Sequence, residues 1–420
     1  MNERTKEGKL TQPMTNNKII YVASKRSIAA ADKLPANEGR STLVHSLVSA
    51  LGLLQHACVS VVPPPPASAR DLCAFHTSEY INHLFTPPPS TSISHNESKS
   101  REMGLIDQDT PLFDGLPEYM ALVAGGSMLA AHLVATGRAR VGIHWDGGRH
   151  HAARSKAAGF CYVNDIVLAI LTLQRSIPMS VTGNGRQARV LYVDLDAHHG
   201  DGVEAAFARS SSVCTVSFHG HGPGWYPPKS GSRKYRGAPG SPGYGYSINV
   251  PLRDGLSDQA FAKVVATTVE AVKDRFRPHA VVVQCGCDGL YGDELVKEFN
   301  LSTRAIGDVV ASTFAKWNLP TVYLGGGGYN HVNAARCWAY ITHCIISGTS
   351  CSDDAKFTDL PDEIPEHSYL EKYGGAPALM HPPVSQRPDH NLDAIDDSGT
   401  LYIDELLSSV LKDINELPQR

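Results

Sequence analysis

From Lys18 onward, short β-rich apolar runs alternate with stretches of helical apolar spacing, and that alternation leaves few architectures open. The runs are Ile19 to Ala23, Cys58 to Val62, Val141 to Trp145, Val190 to Asp196, Val213 to Phe218, Tyr246 to Val250, Ala280 to Gln284 and Thr321 to Leu324. Helical spacing is carried first by Leu43, Val44, Leu47 and Val48, and it predicts later helices over Val163 to Gln174, Asp258 to Phe276, Ser302 to Trp317 and Val332 to Ile346. Strands separated by helices pair in parallel, and the helices cross back over both faces. The expected fold is α/β, with one central parallel sheet sandwiched by helices. With 420 residues, 42% of them hydrophobic, the chain can bury a large core. No internal repeat or strong linker divides it, so residues 18–420 are expected to form a single domain after a mobile polar tail, residues 1–17.

That tail has no apolar core and reads as neither a secretory signal nor a membrane anchor. The uncharged stretch between Glu118 and Arg138 approaches membrane-spanning length, but it contains Gly125, Gly126 and His132 and reads as a buried helix. A net charge of -4 with no Lys/Arg block gives no field for gripping phosphates, so neither nucleic acid nor membrane is an expected partner. The nine cysteines are odd in number and scattered, which fits a reducing compartment. Cys285 and Cys287 lack the spacing of a thiolate metal pair and read as small buried hydrophobes. Pro63 to Pro66, Pro87 to Ser100 and Thr182 to Gln187 read as surface loops, and Asn96-Glu97-Ser98 as a chance match to a glycosylation acceptor. The Gly/Pro/Tyr-rich stretch from His219 to Gly245 follows a strand end and is placed to wall a site.

The chemistry is expected where the run Val190 to Asp196 ends. Asp196 and His198 lie two residues apart, and alternate strand residues point to the same side, so a carboxylate and an imidazole leave one strand end together. Other strand ends repeat the arrangement: His150 and His151 after Gly147-Gly148, Asp288 between Gly286 and Gly289, and Tyr329 after four glycines. Asp196, His198 and Asp288 offer two oxygens and one nitrogen, a donor set that leaves a position open for water, as in hydrolytic zinc sites. A metal so held lowers the pKa of water toward about 7 and makes amide hydrolysis feasible. Adjacent imidazoles share proton load, and Asp194 and Asp201 are the candidates to back His150 and His151. Tyr329 is placed to donate its hydroxyl to an oxyanion.

His144-Trp145-Asp146-Gly147-Gly148-Arg149-His150-His151-Ala152, Gly159-Phe160-Cys161-Tyr162-Val163-Asn164-Asp165, Tyr192 to Gly202 and Leu324-Gly325-Gly326-Gly327-Gly328-Tyr329-Asn330 together resemble the zinc-dependent class I histone deacetylases, in order, from about Ile19 to Asp389. The resemblance implies the arginase/deacetylase-like fold and hydrolysis of acetyl amides on lysine side chains of histones or other proteins. It implies one zinc ion per chain on Asp196, His198 and Asp288. It makes His151 the general base and acid, His150 its electrostatic partner, Tyr329 the oxyanion donor, and Asp194 and Asp201 the orienting acids. Phe160 and Tyr226 would flank a tunnel with Gly159 at its wall, Asp109 would grip substrate at the rim, and Arg40 would lie by an internal cavity. Potassium or sodium would bind at Asp194, Asp196, Ser217 and the carbonyls of His198 and Phe218, and again at Phe207, Ser210, Val213 and Tyr246. A corepressor-type complex and residence in the nucleus, the cytoplasm or both are further implications.

Two positions depart from that pattern. Tyr226 stands where phenylalanine is common, preceded by Trp225, and Arg149 stands where an apolar residue usually precedes the histidines. The charge of Arg149 is expected either to shift the histidine pair's titration or to find an acid at the foot of the pocket. Three other functions remain open. An arginase-type dimanganese hydrolase needs a further acid where Gly289 and Leu290 follow Asp288. An acetylpolyamine deacetylase needs a rim acid where Leu295 stands beside Glu294. An inactive acetyl-lysine reader or repressor scaffold would bind without turnover.

Overall fold

The computed structural model describes residues 18–85, 93–105, 109–183, 187–349, 359–374, 377–385 and 387–418; the tail expected over residues 1–17 lies outside them. Eight strands form one sheet: β1 (Ile19–Val22), β2 (Val59–Val62), β3 (Val141–His144), β4 (Val190–Asp194), β5 (Val213–Gly220), β6 (Ser247–Leu252), β7 (Ala280–Gln284) and β8 (Thr321–Leu324). Their order is β2-β1-β3-β8-β7-β4-β5-β6 and every pairing is parallel. The register aligns His144 with Leu324, Leu324 with Gln284, Gln284 with Asp194, and Asp194 with Ser217. Five strands therefore run level up to this row, and the loops leaving them share one edge.

The strands are apolar throughout because both faces are covered. Leu191 and Val193 turn to a core built with the helices Arg40–Ala50, Asp258–Phe276, Ala305–Ser312, His331–Gly348 and Tyr402–Asn415. Val190 and Tyr192 turn to the opposite core, with the helices Leu116–Ala135, Asp165–Ser176 and Asp201–Phe207. The Leu116–Ala135 helix is long and apolar enough to cross a membrane by composition, but 78% of that window is buried inside the molecule. Cys285 and Cys287 are buried in the first core, and all eight cysteines among the described residues are free.

Several element ends differ from those read in the sequence. The helix expected over Val163 to Gln174 begins at Asp165, because the Asn164 side chain caps it by accepting from Val167 N at 3.0 Å. The span expected as one helix over Ser302 to Trp317 is the helix Ala305–Ser312 and a 3-10 turn Phe314–Lys316, broken at Thr313 with φ -119 and ψ -85. Of the stretch expected as loop from Pro87 to Ser100, residues 87–92 lie outside the described residues and the rest belongs to the helix Ile93–Glu102. Thr182 closes the short helix Met179–Thr182, and residues 184–186 lie outside the described residues.

The helix Tyr402–Asn415 had no counterpart in the sequence reading. It lays Ile403, Leu406, Leu407, Val410 and Ile414 into the first core, and Arg233 and Arg236 pair with Asp413 at 2.8 and 3.4 Å, tying the His219 to Gly245 stretch to it. Leu406→Ala is expected to cost about 2–5 kcal/mol, read as a lower urea midpoint at unchanged slope. A loss below about 0.5 kcal/mol would show that this helix adds little to the core.

Candidate active site

β3, β8, β7 and β4 are neighbours, and their loops bring the polar groups of four strand ends to one place. Asp196, His198 and Asp288 are buried, with one ligand atom each within 4.8 Å of the others. His198 Nδ1 lies 3.2 Å from Asp196 Oδ1 and 2.7 Å from Asp288 Oδ2. The pleat does not produce this convergence, because β4 ends at Asp194. Local turns do: Asp196 N donates to Asp194 Oδ1 at 3.2 Å, and His198 N donates to Asp196 Oδ1 at 3.0 Å. Asp288 Oδ1 accepts from Ala197 N at 2.8 Å and pins the two loops together. Gly286 permits the approach, since a Cβ there would stand 2.0 Å from Asp196 Oδ2.

Burial and the Asp196 carboxylate push the Asp288 carboxyl up to about 7, against the pull of His198. Burial also opposes charge on Asp196, yet His150 and His198 hold it well below the usual carboxylate range. Two buried acids this close repel unless a cation neutralises them. Two oxygens and one imidazole nitrogen suit a divalent ion such as zinc with an open position, so the donor set fits the metal that the resemblance implies.

The histidine pair sits beside this cluster. His150 Nδ1 and Asp194 Oδ2 are 2.8 Å apart, as are His151 Nδ1 and Asp201 Oδ1, and the two rings lie 3.9 Å centroid to centroid. Burial disfavours charge on His150, but Asp194 and Asp196 outweigh it and raise its pKa to about 9. Burial and the adjacent His150 lower His151 to about 4, although Asp201 pulls the other way. The pair thus holds one proton, on His150, and leaves His151 neutral and able to accept another.

His151, His198 and Tyr329 line a cavity of about 370 Å³ together with Asp109, Gly159, Phe160, Trp225, Tyr226 and Leu295. Tyr226 lies 5.0 Å from the His151 ring and Phe160 lies 5.5 Å from the Tyr329 ring, centroid to centroid. Gly159 and Phe160 both have positive φ, 50 and 62, and a Cβ on Gly159 would stand 2.4 Å from His151 Cδ2. That glycine lets the wall touch the imidazole. Burial, with Asp288 and Asp196 nearby, pushes the Tyr329 hydroxyl well above its ordinary value, so it keeps its proton and is able to donate it in a hydrogen bond. Leu295 is 52% exposed at the mouth, while Glu294 is not among the lining residues. Exposed Asp109, Asp254 and Glu298 make the rim acidic.

The residues named for monovalent cations are also brought near one another. Asp194 stands beside Ser217 in the ladder, but Asp194 Oδ2 is already engaged by His150 and by the Tyr192 hydroxyl, and Ser217 Oγ lies 2.8 Å from His219 Nδ1. Phe218 is buried on the same strand. At the second place, Ser210 N donates to the Phe207 carbonyl at 2.8 Å, and Thr215 N to that of Tyr246 at 2.9 Å. Val213 and Tyr246 turn their side chains to opposite cores, so only their backbone could serve an ion.

Three further residues shape the site and were missed. Gln284, the polar end of an otherwise apolar strand, donates to Asp196 Oδ2 at 2.9 Å and accepts from Gly286 N at 2.7 Å. Asp293 accepts from Tyr329 N at 2.7 Å and from Leu295 N at 2.9 Å, which joins the tyrosine loop to the rim. Asp165 accepts from Gly148 N and Arg149 N at 2.9 and 2.7 Å, setting the histidine loop. The signal for Gln284 and Asp165 was present: a lone polar residue closing an apolar strand and an acid opening an apolar helix. Arg149 forms no direct ion pair among the described residues, contrary to one of the two expectations for it: its guanidinium Nη2 donates to the Asp146 carbonyl at 3.1 Å, while burial opposes its charge and nearby groups, Asp165 among them, favour it.

An all-parallel sheet gathering metal donors and a histidine pair at one edge defines an α/β protein of the arginase/deacetylase type. The histone deacetylase domain model matches residues 34–345, and the chain belongs to that family. It is 38% identical over 373 residues to histone deacetylase 8 of Xenopus tropicalis, covering 89% of this chain and 93% of the relative. It is 37% identical to type-1 histone deacetylase 1 of Dictyostelium discoideum (91% of this chain, 70% of the relative) and 40% identical to histone deacetylase 19 of Arabidopsis thaliana (81% and 62%).

Proposed function

We propose that the chain hydrolyses acetyl amides on lysine side chains of histones or other proteins, using a divalent ion, zinc, held by Asp196, His198 and Asp288. The observation that carries this reading is that His151, His198 and Tyr329 line the same cavity, open past Asp109 and Leu295. Bound there, the ion would polarise the acyl oxygen and acidify a water molecule. His151, neutral and backed by Asp201, accepts the proton of the attacking water and returns it to the leaving amine. His150, charged against Asp194, holds His151 neutral and offsets negative charge as it develops. Tyr329 donates its hydroxyl to the acyl oxygen, and Phe160 and Tyr226 flank the lysine stem.

The acidic rim of Asp109, Asp254 and Glu298 supports a substrate with positive charge around the acylated amine, as in a basic peptide tail. The histone deacetylase names of the relatives support histones as a substrate class and the nucleus as the place of work. Monovalent ions on the Asp194–Ser217 and Phe207–Tyr246 groups, a corepressor-type complex and cytoplasmic residence rest on the resemblance alone.

The same rim also favours an acetylpolyamine, so the test compares the two. Zinc-loaded protein is expected to turn over an acetyl-lysine peptide with basic flanks at least tenfold better in kcat/KM than acetylspermidine. The reverse order would transfer the function to polyamines, and binding without turnover of either would make the chain a reader. Asp109→Asn is expected to raise KM for the basic peptide about threefold to tenfold with kcat nearly unchanged, since a rim charge is worth about 1 kcal/mol. An unchanged KM would remove Asp109 from substrate binding.

A further inference from the structure

The sequence has no Lys/Arg block, yet the fold assembles a row of cations along the edge of the sheet opposite the catalytic loops. Every strand pairing is parallel, so all the strands start at that edge, and cations stand in the turns that lead into them. Lys18 precedes β1, Arg138 and Arg140 precede β3, Lys316 precedes β8, Arg277 precedes β7 and Arg189 precedes β4. The backbone ladder runs on through them: Arg140 N donates to the Lys18 carbonyl at 3.0 Å, Thr321 N to that of Arg140 at 3.1 Å, and His279 N to that of Arg189 at 2.8 Å. β1, β3, β8, β7 and β4 are consecutive neighbours, so at about 4.8 Å per strand the row is about 19 Å long, with its spacing set by the sheet.

The fold itself uses some of the cations at this edge. Helix C-termini gather here, and a cation beside one serves its last carbonyls. Arg189 Nε donates to the carbonyls of Phe276 and Arg277 at 3.0 and 2.8 Å, and Arg275 Nε to that of Leu417 at 2.5 Å. Lys18, Arg138, Arg140, Arg277 and Lys316 are different: all five reach solvent, and none has a side-chain hydrogen bond or ion pair among the described residues. The acids nearby are taken, since Lys273 pairs with Glu270 and lies 3.6 Å from Asp274. Exposed Asp109, Asp254 and Glu298 stand at the mouth, on the other edge. The net charge of -4 thus conceals a chain that is acidic at one edge of its sheet and basic at the other.

We propose that this basic edge binds the phosphate backbone of duplex DNA without reading its sequence. A duplex carries one charge per about 1.7 Å of its axis, so a row of about 19 Å faces about eleven phosphate charges. Guanidinium forks and lysine ammonium groups both suit phosphate oxygens. An acidic peptide would have to be ordered as it bound, whereas a duplex presents its line of anions already rigid. A lipid surface needs apolar side chains to insert, and Met179 and Val181, exposed in the turn before β4, make only a small tip. The choice of DNA rests on the histone reading, in which a duplex accompanies the substrate. The acidic mouth repels that duplex and takes the basic tail, and the opposite edge holds the duplex.

Fluorescence anisotropy of a labelled DNA duplex of about 20 bp, titrated with the full chain from about 50 to 200 mM KCl, tests this. Wild type is expected to bind with a Kd of about 1–100 µM at the lowest salt and a slope of log K against log salt of about -4 to -5, the mark of about five neutralised phosphates. Arg138→Ala, Arg277→Ala and Lys316→Ala combined should weaken binding at least tenfold and flatten the slope by about 2 to 3. Arg138→Lys with Arg277→Lys keeps the charge and should keep the slope. Arg26→Ala, Lys33→Ala and Lys99→Ala combined remove the same charge from cations already paired with Glu118, Asp114 and Glu79. Screened from the basic edge, that loss should leave Kd within about threefold of wild type. Tm values check that each variant is folded, and the wild-type slope stands without any of them. No binding by wild type at the lowest salt, or equal losses in the two triple variants, overturns the proposal. So does tighter binding of polyglutamate or of phosphatidylserine vesicles than of the duplex, which would give the edge to an acidic protein or to a lipid. The assay needs no turnover, so a wild type that cleaves no acyl peptide loses the deacylase reading and leaves the DNA result standing.

Discussion

Tyr329→Phe is expected to lower kcat on an acetyl-lysine peptide about 10²- to 10³-fold while leaving one zinc per chain. The ring of Tyr329 packs 5.5 Å from Phe160, and its backbone N–H is held by Asp293, so phenylalanine keeps the packing and the loop and removes the hydroxyl alone. That hydroxyl is protonated at working pH, because burial and the two metal-site acids push its ionisation well above the ordinary value. Its absence therefore deletes one preorganised donor to the oxygen that gains charge, and little else. Ground-state binding uses the tunnel walls, so KM should move far less than kcat. Turnover kinetics beside elemental analysis of the same sample read both quantities. A kcat within about threefold of wild type would remove Tyr329 from the mechanism and leave the His150–His151 pair and the ion to account for the reaction.

Parts of this site were legible because they follow from local rules. An apolar run closed by a polar residue reads directly as a buried parallel strand with its mouth marked, and Ala280 to Gln284 and Thr321 to Leu324 have the same ends in sequence and structure. The helix Asp258–Phe276 was equally plain, since Ser257 caps it and its apolar spacing is unbroken. The region from Ser302 to Trp317 failed because apolar spacing persists across Thr313 although the backbone there leaves the helical region. Asp196 and His198 were singled out by an argument from pleat, but turns made by the side chains of Asp194 and Asp196 bring them to the third donor. The surroundings of Arg149 were illegible in principle. That Asp165 is engaged by Ser127 and by the backbone N–H groups of Gly148 and Arg149, and Asp146 by the side chains of Ser41 and His45, is a tertiary fact, and spacing along the chain carries no trace of it. The Tyr402–Asn415 helix was readable from its apolar stripe but lay beyond the motifs that drew attention.

Asp288→Asn should separate the metal from the fold that holds it. Asparagine preserves the side-chain oxygen that accepts from Ala197 N and almost all of the volume, so the junction between the β4 and β7 loops survives. What it removes is one of two buried carboxylate charges facing His198 Nδ1. Loss of even an outer partner of a metal ligand weakens affinity about 10- to 100-fold, so loss of a charged ligand is expected to cost at least about 100-fold. In wild type, zinc at a thousandfold excess over its dissociation constant stabilises the folded chain by about 4 kcal/mol; at the same zinc concentration a hundredfold weaker site retains about 1.4 kcal/mol. Thermal unfolding in chelator and in graded zinc reads the difference without any turnover, and activity should fall with occupancy. Superimposable zinc curves for the two proteins would place the ion elsewhere, and two tightly held ions per wild-type chain would return the site to a binuclear hydrolase, whose second ion has no acid at Gly289 or Leu290 to receive it.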